Sequence, residues 1–86
     1  MKSMIELNLE NLYEQMYSYK QQIQNLQDGI KAFSSIFEEN KDCEKKAKSI
    51  ERLKGRLERE LSLTLFKCAL VEDRINREEG RRKSLR

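Results

Sequence analysis

The chain contains no proline, no tryptophan and no histidine, and only three glycines and two cysteines among its 86 residues. Each shortage removes a class of protein. Without proline and with so little glycine, strands joined by tight turns lose their usual punctuation, whereas long helices lose nothing. Without histidine the commonest general acid–base is missing. The glycines stand at 29, 55 and 80, too far apart to form a loop that cradles phosphate. Two cysteines, Cys43 and Cys68, are too few for a disulfide framework. No run approaches the roughly 18 uncharged apolar residues of a membrane-spanning helix, and the first residues lack the apolar core of a signal peptide. A cytoplasmic chain without membrane insertion is therefore expected. No catalytic residue, cofactor, metal ligand set or small-molecule substrate is expected either, so the reading is non-enzymatic.

What the chain has in quantity is charge and periodicity. Charged residues make up 38% and apolar residues 37%. That balance suits a disordered chain unless the apolar residues are regularly spaced. They are. Ser3 and Glu6 have the spacing of a reciprocal capping box, which starts a helix. From there the apolar residues run Ile5, Leu9, Leu12, Met16, Tyr19, Ile23, Leu26, Ile30, Phe33 and Phe37, in alternating steps of four and three. An unbroken alternation of this kind is the heptad seam of a coiled coil.

The seam stops at Asn40, whose neighbours Lys41 and Asp42 suit a turn, with Asp42 placed to cap a second helix. A second seam follows: Ala47, Ile50, Lys54, Leu57, Leu61, Thr64, Cys68, Val71 and Ile75. Folding the chain at about Asp42 pairs the seams layer by layer. Phe37 meets Ala47, Leu26 meets Leu57, Tyr19 meets Thr64, Leu12 meets Val71 and Leu9 meets Ile75. Lys54 falls beside Ile30 and must snorkel to water, and Thr64 falls within reach of the Tyr19 hydroxyl. Gly29 and Gly55 fall near one level, where a close approach is possible. The predicted fold is thus all-α, an antiparallel two-helix hairpin with helix 1 over about 4–39, a turn over 40–43 and helix 2 over about 43–79. One continuous helix is the alternative. Gly80 is expected to end helix 2 and to leave 81–86 as a disordered basic tail.

A two-helix hairpin of this size exposes the flanks of its own seam, so completion by self-association or by a partner helix is expected. The segment 61–71 shows where. It carries one charge, and Leu63, Phe66 and Leu70 step by three and four on a face turned away from the seam, with Leu65 and Ala69 between the two faces. A helix apolar nearly all round is normally covered on both sides. These five residues are the candidate protein interface. A smaller lateral set is Tyr13, Tyr17, Ala32, Ile36 and Leu53, of which Tyr13 and Ile36 should broaden the seam. Charge adds a second possibility. Residues 1–40 hold three lysines against six acids, while 41–86 hold fifteen bases against nine acids. Arg81, Arg82, Lys83 and Arg86 form a candidate contact for an anionic partner, and with the lysine-rich stretch 41–54 they make nucleic-acid binding the alternative function.

In size and hairpin shape, residues 4–78 resemble the small helical helpers of bacterial secretion, among them the needle co-chaperones of type III systems and the helical targeting partners of type VII effectors. That resemblance implies an adaptor, co-chaperone or assembly subunit that pairs with another helical protein. It transfers no functional residue. The Trp-x-Gly turn of the WXG100 proteins is absent, as is the proline-containing turn of needle subunits.

Overall fold

The computed structural model describes residues 2–84. It contains two helices, α1 over Met4–Asn40 and α2 over Glu44–Ser84, joined by a three-residue turn. The molecule measures 64 × 18 × 13 Å. At about 1.5 Å per residue, helices of 37 and 41 residues are each nearly that long, so the two lie side by side. The fold is the expected antiparallel hairpin and not the continuous helix.

Local chemistry sets the helix ends. Ser3 is extended and its hydroxyl oxygen accepts the Glu6 amide at 3.2 Å, which satisfies one orphan donor of the first turn. The expected return bond from the Glu6 side chain is not formed, so only half of the capping box is present. At the other end the Asn40 side-chain amide donates to the Ile36 carbonyl at 2.8 Å, and the Cys43 amide closes the turn on the Asn40 carbonyl at 2.9 Å. The first bond of α2 runs from the Ala47 amide to the Cys43 carbonyl. Cys43, not Asp42, is therefore the cap residue.

The end of α2 also differs from expectation. The helix continues through Gly80 to Ser84, because Gly80 keeps helical geometry and no glycine adopts the left-handed conformation of a helix stop. Ion pairs of Arg77 with Asp73 at 2.9 Å and of Arg81 with Glu78 at 3.3 Å bridge successive turns. Arg81, Arg82 and Lys83 place positive charge at the negative end of the helix dipole. These three residues are thus helical rather than part of a disordered tail. Arg86 lies outside the described residues.

Both seams face inward. Every position from Ile5 to Phe37 and from Ala47 to Ile75 in the two heptad series is buried or half-buried. Leu9, Leu12, Val71 and Ile75 form one buried cluster, with Ile5, Met16 and Tyr19 packed on it, so the layers at the chain ends pair as expected. Near the middle, Gly29 stands close to Leu57: a methyl group at Gly29 would lie 3.2 Å from Leu57 Cδ1. Gly55 faces open space, so the close approach involves one glycine and not both. Thr64 is buried, but its hydroxyl donates to the Glu60 carbonyl at 2.8 Å instead of meeting Tyr19. Lys54 is half-buried along its stem and its ammonium reaches Glu58 at 3.9 Å.

Candidate protein-binding face

Helix α2 carries apolar residues on two sides. Its seam residues Ile50, Thr64, Cys68, Val71 and Ile75 are buried against α1. Its opposite face is open to solvent. Leu63 is 54% exposed, Phe66 61% and Leu70 50%. Leu65 and Ala69, between the faces, are exposed as well. The hairpin therefore brings none of the five candidate interface residues into its own core. Four of the large exposed apolar side chains fall between residues 63 and 70, and burying one such side chain is worth about 1.5–3 kcal/mol. Elsewhere the exposed apolar residues are dispersed. Tyr17 is open, as are Tyr13 and Ile36, which flank the seam without being covered by it.

One feature of this face escapes a search for apolar patterns. Arg52, Arg56, Arg59, Leu63, Phe66, Leu70, Arg74, Arg77 and Arg81 follow one another in steps of three or four. Such spacing places them along one side of the helix. The apolar triad thus sits in the middle of an arginine stripe. All six arginines are exposed, and Arg52, Arg56, Arg59 and Arg74 make no ion pair among the described residues. The step count was available in the sequence, but only for someone following the basic residues as closely as the apolar ones.

The rest of the surface offers little chemistry. No group of three potential metal ligands occurs among the described residues, and none of their helices is long and apolar enough to cross a membrane. Both cysteines are free, Cys43 exposed at the turn and Cys68 buried in the seam. Tyr13 donates its hydroxyl to Glu79 at 3.0 Å, and this bond, followed by partial burial and the negative charge of Glu79, raises the phenol above its ordinary value. Lys2 pairs with Glu10, which raises its ammonium through hydrogen bonding and then through charge attraction. Neither group lines an enclosed site. Tail residues Arg81, Arg82 and Lys83 are exposed along the last turn of α2. No protein-family model matches the chain, and no curated protein and no solved structure matches it.

Proposed function

We propose that the chain is a non-enzymatic protein-binding module of the cytoplasm, an adaptor, co-chaperone or assembly subunit that docks through the Leu63–Phe66–Leu70 face of α2. The observation that carries this reading is the exposure of four large apolar side chains within eight residues of a helix whose other face is already used. A contiguous apolar patch on a small helical protein marks a contact surface more often than an idle one. The thinness of the core supports it, since no described side chain is less than 2% exposed.

The nucleic-acid alternative draws on the lysine-rich stretch 41–54 and the basic end of α2. It has weaker support. Lys41, Lys48 and Lys54 already face Glu38, Glu44 and Glu58 at 3.4, 3.3 and 3.9 Å. Replacing Phe66 by glutamate separates the readings. Phe66→Glu is expected to keep its far-UV circular dichroism and to lose the partner that wild type captures from its native host. Retention of the same partner by Phe66→Glu removes this face from the binding surface.

A further inference from the structure

On one flank of the hairpin, α1 and α2 enclose a shallow groove with chemically different walls. Towards the chain ends, Asn8, Asn11 and Gln15 of α1 face Arg74, Arg77 and Arg81 of α2. Nearer the middle, Gln22 and Asn25 face Leu63 and Lys67. The α1 wall is one helical stripe, with Ser18 filling the gap between Gln15 and Gln22, and no charged residue stands on it from Asn8 to Asn25. On α2 the groove is lined by Leu63, Arg74, Arg77 and Arg81, and Phe66, Leu70, Arg52, Arg56 and Arg59 continue the same helical stripe beside it.

We propose that this flank, with the adjoining arginine stripe of α2, is the docking surface for one amphipathic helix of a different protein, apolar at its centre and carrying carboxylates towards both ends. The proposal rests on the protein-binding reading of α2 and adds the chemistry of the partner. Charge complementarity carries it. A guanidinium presents a planar fork that matches a carboxylate bidentately, and Arg52, Arg56, Arg59 and Arg74 have no intramolecular carboxylate among the described residues. The central triad spans about 10 Å of helix, or roughly two turns of a partner's apolar stripe. Asparagine and glutamine side chains both donate and accept, so the α1 wall can meet polar groups of either kind along the partner.

A second copy of the chain fits this face less well. Laid on its own stripe in either direction, the triad would bring arginines against arginines at both ends. A nucleic acid fits less well too, because the apolar centre offers nothing to phosphates.

The test uses the full chain and three fluorescent probes. Two are helical peptides sharing one leucine spine, with glutamate flanks in one and lysine flanks in the other. The third is a short DNA duplex. The glutamate peptide is expected to bind, with the lysine peptide at least about tenfold weaker. The Arg59→Glu/Arg74→Glu variant, helical by circular dichroism, is expected to reverse that preference, and Arg59→Ala/Arg74→Ala to abolish it. Equal binding of the two peptides, or binding of neither, overturns the proposal. So does a dimer by sedimentation that the arginine variants leave intact. If in those cases Phe66→Glu still abolishes dimerisation or capture of the host partner, the protein-binding reading stands on its own. Binding of the duplex alone overturns both.

Discussion

Tyr13 carries the one side-chain hydrogen bond that joins α1 to α2 among the described residues, and it does so at the surface. The bond exists only while the phenol is protonated. Because Glu79 raises the phenol's pKa in the folded chain, the contribution is complete below the ordinary phenol range and disappears as pH rises through the raised value. Absorbance titration of the phenolate checks this. Glu79→Gln is expected to bring one tyrosine midpoint down, and an unchanged titration would show that the Tyr13–Glu79 bond is absent in solution. The glycines give a second residue-scale expectation. Gly55 sits in a helix with open space where a side chain would begin, so Gly55→Ala should stabilise by about 1 kcal/mol. A gain of that size raises the melting temperature by roughly 4–8 °C. Gly29→Ala should gain less, because its methyl must displace Leu57 Cδ1. Thermal melts of the two variants rank them directly.

At the scale of the elements, heptad spacing made the fold legible. Ten seam positions on α1 and nine on α2 alternate without a slip, and all of them turn inward, including the awkward Lys54 and Thr64. The same count put Leu63, Phe66 and Leu70 outside the seam, and they are outside it. What the spacing could not settle were choices made by single side chains. Asp42 and Cys43 compete for one cap, and the turn closes with Cys43. Gly80 is permitted in either helix or stop, and the ion pairs and helix dipole around it favour helix. The Thr64 hydroxyl has a carbonyl one turn back within its own helix, and it donates there at 2.8 Å. The arginine stripe was legible in principle, being a matter of step counts, but it has meaning only once α1 shows which face is free. Thiol labelling reads both elements at once. Cys43 is expected to react fast and Cys68 only as fast as the chain opens, since one is exposed and the other buried. Two equally fast thiols would mean that α2 does not pack on α1 at Cys68.

As a whole molecule the hairpin is long and thin, and its buried side chains cluster towards the chain ends, with Ile50 alone near the turn. A core of this kind supplies limited stability, and the largest untapped apolar surface lies on the outer face of α2. Helix α2 thus has two apolar faces, one buried against α1 and one exposed, and the exposed face is the proposed site for another protein. Placing a glutamate on each in turn tests this most directly, with helicity and partner binding measured on the same samples. Val71 is 6% exposed in the buried cluster near the chain ends, so Val71→Glu buries an unpaired charge and is expected to cost most of the helical signal. Phe66→Glu is expected to keep the helical signal and lose the partner. Equal loss of helicity in both variants, or undiminished binding by Phe66→Glu, would contradict the account.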